Sequence, residues 1–429
     1  MDIRNKYKKD SMKRSIILTT ESDADPMIDK IKSNITSFTM TYESKIKKNA
    51  IFMMCIINEH YVIGACIAAY CHRKMLTNAK IKDTTDLVII CDEKIYDRYH
   101  KLLNIPVLFD IVIKIDMRIF PDAKQYNYSK IKYSSWIGAS LNKWQIMDHD
   151  EYTRIMFVDI ALLPSDPRIY DLFNTSVPAV LIREKLLQES DKATYKCTDG
   201  QNIRYKRQSD ITYDEYLGDE EVYGTIHGNL IVIEPNKDMY KQYVEMTNNI
   251  YKSGIYSIYK SGPDETSLFY FFLKKNIMVH NICHENATIP WDEKILIDIS
   301  KGYEFSSMFK PWTKPKILCW PEELLWRDVY DIMVKHIVKA DPSCYKVLND
   351  LFKDVILDTY DRYMSSDYKS QHKNYNDKFV NRYKKEFDNI SHIDDQDRDN
   401  VFNALMLLDS KIHVRFYGPL KTQKITELL

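Results

Sequence analysis

The sequence predicts an α/β fold in which a mostly parallel sheet is flanked by helices and followed by a helical C-terminal extension. Apolar runs of strand length recur along residues 50–233, amphipathic helical segments separate them, and only helical patterns follow residue 317. Strands and helices that alternate at this spacing form βαβ units with right-handed crossovers. A chain of 429 residues has room for one large α/β domain with an accessory region, or for two domains.

We divide the chain into three parts. Residues 1–48 are polar and lack a periodic pattern, which predicts a mobile N-terminal arm. Residues 49–316 contain the alternating strands and helices. Residues 317–429 contain three amphipathic helical patterns, together with a charged, tyrosine-rich stretch at 365–398.

The first half of the domain begins with an apolar strand at 50–57, of the kind that is buried on both faces. After a helix, the predicted elements are a strand at 86–91, a helix at 93–103, a strand at 110–115 and a helix at 136–147. The polar segment 120–135 between the last two is predicted to be a loop over the sheet edge.

The central strand, 155–158, delivers one carboxylate, Asp159, at its end. Ligands of open α/β sheets bind at the carboxyl edge of the strands, so an acid there is placed to meet a ligand or a metal. An acid that closes a strand also commonly caps a turn or a helix. The residue alone is therefore compatible with both roles.

The second half of the domain continues with strands at 179–182 and 229–233 and a helix at 237–251. Between these strands, the charged segment 183–223 is long for a loop in a compact domain, which indicates a functional or a disordered segment. A further helix begins with Asp264 and Glu265, which are also ordinary helix-start residues.

Composition excludes several classes of protein. Lysine plus arginine and aspartate plus glutamate number 61 each, so the zero net charge gives no general attraction to nucleic acid or to membranes. The eight cysteines form no CxxC pair, and buried free thiols in a reducing, cytoplasmic compartment are expected rather than a disulfide framework or a zinc site. No apolar run approaches about 18 residues and no signal-peptide pattern follows the N-terminus, so we expect no membrane span.

Five motifs occur in an order that resembles one enzyme family. They are Asn58-Glu59-His60-Tyr61 after the opening strand, Lys143 in a helix, Asp159 at the end of an apolar strand, Asp264-Glu265 at a helix start, and Lys310-Pro311-Trp312. This order is similar to that of retaining family-8 glycosyltransferases of the glycogenin type, which have a GT-A, Rossmann-like nucleotide-sugar fold. The resemblance covers residues 50–312 and excludes both ends of the chain.

The resemblance implies a UDP-sugar as the donor substrate. The segment with Cys55, Ile57, Asn58 and Tyr61 would hold the uridine, with the tyrosine stacked on the base and the asparagine hydrogen-bonded to it. Tyr61 is equally consistent with a core aromatic residue at a helix start.

The remaining motif residues would meet the phosphates and the sugar. Lys143 would reach the sugar nucleotide, although a solvated helix lysine fits the sequence as well. Lys310 would contact the pyrophosphate, whereas Trp312 after a proline is commonly a packing residue. Asp264 and Glu265 would act at the catalytic centre by orienting the donor sugar.

The expected metal site departs from the family pattern. In D-x-D, the first and third side chains of an extended segment point the same way and can meet one divalent ion. Here the third position is Ala161, while Glu304 aligns with the histidine that is the family's other ligand. We therefore expect Mn²⁺ or Mg²⁺ at Asp159 and Glu304, because glutamate is a competent oxygen donor for both ions.

Three outcomes remain open from the sequence. The chain is an active transferase with a rearranged metal site, an active transferase that neutralises UDP with lysines and no metal, or a transferase fold that has lost activity and binds a nucleotide sugar or a partner. In the first two cases a hexose passes from a UDP-sugar to a carbohydrate or protein acceptor, and a homodimer is compatible with either. A nicotinamide dehydrogenase is discounted, because no GxGxxG follows the first strand.

Overall fold

The computed structural model of the protein describes residues 47–118, 137–182, 199, 226–252, 263–289, 299–305, 310–315, 319, 323–364, 390 and 397–411. From Lys48 onward the chain forms one compact unit. The predicted arm, and nearly all of the segments 120–135, 183–223 and 365–398, lie outside the described residues. The boundary expected at residue 316 stays a prediction.

The strands of the described residues form two sheets. In chain order they are β1 (Asn49–Cys55), β2 (Thr85–Cys91), β3 (Ile111–Lys114), β4 (Arg154–Val158), β5 (Leu162–Pro164), β6 (Ala179–Ile182), β7 (Ile226–Ile233), β8 (His280–Ile282) and β9 (Gly302–Glu304). The main sheet has the order β3-β2-β1-β4-β7-β6-β8, and β5 pairs with β9 in a small second sheet.

The helices of the described residues lie between and after these strands. They are α1 (His60–Asn78), α2 (Glu93–Leu103), α3 (Ile137–Ser140), α4 (Lys237–Lys252), α5 (Pro263–Lys274), α6 (Leu324–Ala340), α7 (Pro342–Met364) and α8 (Arg398–Lys411). Short 3-10 helices occur at Lys82–Thr84, Leu141–Asp148, Pro167–Asn174, His284–Asn286 and Pro311–Thr313. None of the helices that are described combines the length and the apolar character that a membrane crossing requires.

Strand direction determines which residues meet at the functional edge of the main sheet. β1 is parallel to both β2 and β4, so these three strands end at the same edge. β7 runs antiparallel to β4 and pairs Leu230 with Val158. Because β7 is reversed, its first residues, rather than its last, lie at the edge where β4 ends. Gly228 and Asn229 therefore join Asp159 there.

The core occupies both faces of the sheet, because side chains alternate along each strand. In β1, Ile51 and Met53 belong to the cluster that contains α1, whereas Ala50 and Phe52 belong to the cluster that contains α5. The first cluster continues into α6 and α7. The C-terminal helices thus share one hydrophobic core with β1 and α1.

The predicted fold class, a mostly parallel sheet flanked by helices with a helical C-terminal extension, is confirmed. Some details differ. The first strand ends at Cys55 rather than at residue 57, because Ile57 adopts a positive φ of 66° in a turn. The helix expected at 136–147 is α-helical only in α3 and continues as a 3-10 helix to Asp148.

The expectation of free thiols is only partly correct. Six cysteines, Cys55, Cys66, Cys71, Cys91, Cys319 and Cys344, are free and buried. Cys283 is disulfide-bonded, so the expectation is wrong for this residue. A disulfide joins residues that can be distant in the sequence, and no spacing motif announces it.

Candidate functional site

The carboxylate at the end of β4 lies at the predicted edge of the sheet. Asp159 is half-buried, and its backbone N–H donates to the Asn229 carbonyl at 2.8 Å. Its Oδ1 accepts the backbone N–H of Ala161 at 2.8 Å, which forms a local Asx-type turn. Within the described residues, no hydrogen bond involves its Oδ2. Asp159 therefore caps a turn with Oδ1, and Oδ2 can accept a hydrogen bond or meet a cation.

The third position of the D-x-D triplet belongs to the core. Ala161 is buried with Ile160 in the cluster that contains α1. Its carbonyl accepts the N–H of Phe305 at 2.9 Å, next to the pairing of β5 with β9. The substitution of aspartate by alanine thus removes a ligand atom, and the position itself packs against hydrocarbon.

Asn229 connects the two residues that were expected to bind a metal. Its carbonyl accepts from Asp159, while its side-chain Nδ2 donates to Oε1 of Glu304. Glu304 is only 1% exposed. An amide that donates to this buried carboxylate supplies part of the neutralisation that a cation would otherwise provide.

The side-chain ligands at this edge of the sheet are too few to hold a metal ion by protein groups alone. Within the described residues, no group of three or more histidine, cysteine, aspartate or glutamate side chains is arranged to hold an ion. Asp159 and Glu304 offer two carboxylates, whereas the near-octahedral set of oxygens around Mg²⁺ would have to be completed by waters and by substrate phosphates. We therefore assign no chemical step to a metal.

A buried ion pair lies beside this edge. Lys143, in the 3-10 helix Leu141–Asp148, is 7% exposed and Asp264, at the start of α5, is 3% exposed. The lysine Nζ donates to Asp264 Oδ2 at 2.5 Å and to the Gly228 carbonyl at 3.2 Å. Trp144 Nε1 donates to the Asp264 carbonyl at 2.9 Å, which fixes the helix start. Both charges are thus satisfied by protein groups.

The protonation of Lys143 follows from its neighbours. Burial by itself lowers its pKa, but the nearby Asp264, Glu265 and Asp159 carboxylates outweigh burial and raise it above the ordinary value. The ammonium group also lies 5.2 Å from the ring centroid of Phe157, within the range of a cation–π contact. Lys143 is therefore a fixed cation at neutral pH rather than a solvated helix lysine.

Glycine at position 228 allows these groups to approach. The Gly228 N–H donates to Glu265 Oε1 at 2.6 Å. A Cβ at this position would lie 2.7 Å from Lys143 Nζ and 2.9 Å from Glu265 Cγ. Since real Cβ contacts are longer than this, any side chain would displace the lysine or the glutamate. We call Lys143, Gly228, Asp264 and Glu265 the buried cluster.

The Lys310-Pro311-Trp312 turn lies against the start of α1. Trp312 is 1% exposed, and its Nε1 donates to the His60 carbonyl at 3.0 Å. Its ring packs on Gly64, where a Cβ would come within 2.5 Å, and makes an edge contact with Tyr61 at 6.0 Å between centroids. The tryptophan is thus a packing residue that fixes Lys310 beside Tyr61.

A cleft opens beside this turn. Its lining residues are Asn58, His60, Tyr61, Lys310, Trp312, Thr313, Asp358, Thr359 and Arg362. The cleft holds about 390 Å³ of empty space, part of it open to solvent. We call it the KPW cleft. It brings together three of the residues that were expected to hold UDP, and Asp159 is not among its lining residues.

The turn after β1 involves an acid that the sequence analysis did not single out. The Ile57 N–H donates to Oδ2 of Asp92, and Asp92 Oδ1 caps α2 by accepting the N–H of Ile95 at 2.9 Å. Asn58 is exposed, and its Oδ1 accepts the His60 N–H at 2.9 Å. Asp92 follows an apolar strand as Asp159 does, and that shared pattern is the signal that could have identified it.

Contacts between neighbours connect the predicted residues into one region. Lys143 contacts Gly228, and the adjacent Asn229 contacts both Asp159 and Glu304. Phe305 follows Glu304, and its carbonyl accepts Lys310 Nζ at 3.5 Å. Lys310 reaches the KPW cleft. The buried cluster, the acid at the end of β4 and the cleft thus form a continuous series.

Comparison with known proteins gives similarity only at the level of structure. No protein-family model matches the chain, and no curated protein matches it. Similar solved structures include the galactosyltransferase LgtC in complex with donor and acceptor sugar analogues, with TM-score 0.41, 13% identity, and coverage of 66% of this chain and 95% of that chain. A second is the glycosyltransferase GlyE of Streptococcus pneumoniae TIGR4, with TM-score 0.39, 9% identity, and coverage of 68% and 64%.

A third similar structure is mouse xyloside xylosyltransferase 1 in its apo form, with TM-score 0.35, 12% identity, and coverage of 60% of this chain and 98% of that chain. At such low identity and overlap, the reaction has to be argued from the residues of this chain.

Proposed function

We propose that the protein is a retaining glycosyltransferase that transfers a hexose from a UDP-sugar to an acceptor. The observation that carries this proposal is the series of hydrogen bonds Lys143–Gly228, Asn229–Glu304 and Phe305–Lys310, whose members are linked in turn by adjacent residues of the chain. Lys143, Asn229 and Lys310 are far apart in the sequence, and two of them, Lys143 and Lys310, belong to motifs that resemble the donor site of family-8 glycosyltransferases.

The KPW cleft is suited to the nucleotide. Tyr61 is half-buried, so its ring has an accessible part on which a base can stack. Asn58 is exposed at the rim, and Lys310 provides a cation within the same cleft. In this proposal the uridine binds against Tyr61 and Asn58, and the diphosphate extends toward Lys310.

The buried cluster is suited to the sugar side. Asp264 is held by Lys143, so its carboxylate has a defined orientation, and Glu265 is held by the backbone of Gly228. Fixed carboxylates and amides can accept and donate hydrogen bonds to sugar hydroxyls without reorganising during the reaction. Asp264 and Glu265 orient the donor sugar in this proposal.

The chemical step is a displacement at the anomeric carbon. The bond from that carbon to the UDP oxygen breaks, the acceptor hydroxyl oxygen bonds to the carbon on the same face, and the hydroxyl proton leaves with the UDP phosphate. Negative charge develops on UDP as the bond breaks, so preorganised cations near the diphosphate lower the barrier. Lys310 supplies one such cation.

Release of UDP tests the proposal. Purified protein is incubated with UDP-glucose or UDP-galactose, with and without Mn²⁺, and UDP is quantified over time. We expect release with at least one sugar and a strong reduction in the Lys310→Gln variant, while the exposed Lys346→Gln variant keeps the wild-type rate. No release with any UDP-sugar under either condition would argue against transfer.

A second candidate function is supported by the buried alanine at position 161 and by the incomplete donor set. In this case the fold binds a nucleotide sugar or a partner without turnover. A rise in melting temperature on adding UDP-glucose, with no UDP released, would support it, because a ligand that binds only the native state stabilises it. The expected divalent ion, the cytoplasmic location, the homodimer and the identity of the acceptor stay predictions.

A further inference from the structure

Helix α7 contributes three side chains to the KPW cleft. They are Asp358, Thr359 and Arg362, and they face a cleft whose other lining residues include those expected to hold UDP. The resemblance described above ends at residue 312, well before this helix. The contribution of α7 is therefore a property of this chain that its motifs do not imply.

The helix is held firmly against the domain. Val355 and Ile356 are fully buried and belong to the cluster that contains α1. Earlier in the helix, the ring of Phe352 stacks on Tyr330 with centroids 4.4 Å apart. Thr359, which lines the cleft, is itself 5% exposed. Packing on both sides of the cleft thus keeps α7 and the start of α1 in a fixed relationship.

The charges of the cleft favour an anion. Lys310 and Arg362 are its two cations and Asp358 is its one carboxylate. Asp358 already has partners, because His60 Nε2 lies 3.3 Å from its Oδ2 and Arg398 Nη2 lies 3.4 Å from its Oδ1. Burial lowers the pKa of His60 despite this carboxylate, so the imidazole adds no full charge near pH 7. The excess charge is positive.

A guanidinium is well matched to a diphosphate. Its planar donors bind phosphate oxygens in pairs, which gives both affinity and orientation. The carboxylates expected to hold a divalent ion, Asp159 and Glu304, are not among the lining residues of this cleft. A second cation in the cleft, in addition to Lys310, would add to the neutralisation of the diphosphate there.

We infer that Arg362 binds the diphosphate of the nucleotide sugar, so that helix α7 forms part of the donor site. This inference rests on the proposed function, because it uses the same cleft and the same ligand. It adds a binding residue outside the part of the chain that resembles the family, and it makes the C-terminal helices necessary for donor binding.

The test compares UDP with uridine, which lacks the phosphates. Isothermal titration calorimetry is carried out on wild-type protein and on Arg362→Gln, Arg362→Lys and Lys346→Gln. Lys346 is exposed on the same helix and does not line the cleft, so its variant controls for net charge. The ratio of UDP affinity to uridine affinity is the readout, since partial unfolding reduces both affinities equally and leaves their ratio unchanged.

We expect Arg362→Gln to lower the affinity for UDP by about tenfold, as for a lost charge-assisted hydrogen bond, and to leave uridine binding unchanged. The ratio of UDP affinity to uridine affinity in Arg362→Lys should lie between those of the wild type and Arg362→Gln, and the ratio in Lys346→Gln should match the wild type. An unchanged ratio in Arg362→Gln, with wild-type protein that binds UDP, overturns the inference and leaves the proposed function standing. Wild-type protein that binds neither UDP nor UDP-glucose overturns both.

Discussion

The buried cluster and the KPW cleft use charged residues in opposite ways. In the buried cluster, Lys143 and Asp264 satisfy each other and are almost inaccessible to solvent. In the cleft, Lys310 and Arg362 border open space. A charge buried with its partner holds the backbone in place, whereas a charge that borders open space can also contact a ligand. The difference indicates that the buried cluster is a rigid scaffold for the proposed sugar side, whereas the cleft is an open surface for the nucleotide.

The largest expected effect comes from breaking the scaffold. Lys143→Met leaves Asp264 buried without its cation, so the free energy of unfolding should fall by about 3–5 kcal/mol. Urea denaturation of the variant measures this loss. A double variant, Lys143→Met with Asp264→Leu, should recover part of the stability, because it removes the unpaired charge as well. A single variant as stable as the wild type would show that the pair is solvated rather than buried.

A smaller loss of stability is expected at the contact between Gly64 in α1 and Trp312 beside the KPW cleft. Gly64→Ala places a methyl group on the Trp312 ring, and such overpacking should cost about 1–3 kcal/mol. The displaced tryptophan should also move Lys310 and weaken UDP binding. Combining Gly64→Ala with Trp312→Leu should give a total effect smaller than the sum of the two, as measured by thermal denaturation and a double-mutant cycle. Strict additivity would contradict the contact.

At the open cleft, affinity should change while stability does not. Lys310→Gln should weaken UDP binding by about tenfold, which corresponds to about 1.4 kcal/mol. Its free energy of unfolding should stay within about 0.5 kcal/mol of the wild type, because the side chain lies at a surface. Calorimetric titration and urea denaturation give the two values. A large loss of stability without a loss of affinity would place Lys310 in the scaffold instead.

The smallest effect is expected from metal. If lysine and arginine neutralise the diphosphate, the rise in melting temperature caused by UDP should be similar with Mn²⁺ and with a chelator. Asp159→Asn should then change that rise little. A UDP-induced rise that requires Mn²⁺ and disappears in Asp159→Asn would instead support the rearranged metal site made by Asp159, Glu304 and the diphosphate.

The sequence predicted six of the seven strands that are described in the main sheet, because most of them lie in apolar runs with a strong local signal. The three-residue strand β8 was not predicted. The strand at 179–182 and the helix at 93–103 have the predicted bounds. The second sheet was missed, since β5 and β9 are three residues each and pair across about 140 residues of chain. A strand this short has no period to detect.

In the candidate site, too, the features with a local sequence signal were predicted and those that depend on long-range contacts were not. Position within a motif was enough to predict that Asp159 ends a strand and that Asp264 starts a helix. The partners of these residues depend on strand direction, which the local pattern does not encode. The reversal of β7 brings Asn229 to Asp159 and Glu304, and the packing of α7 places Arg362 in the cleft that Lys310 also lines. Both arrangements are tertiary.

The hydrophobic cluster common to α1 and the C-terminal helices constrains how this chain could be shortened. Tyr70 in α1 contacts His336 in α6, with 3.2 Å between the hydroxyl and Nδ1, and Cys66 lies in the same cluster as Cys344 of α7. A fragment ending near residue 316 would expose that apolar side of α1 to water. Such a fragment should aggregate rather than fold as a smaller domain, so in this protein the C-terminal helices cannot be gained or lost independently of the sheet.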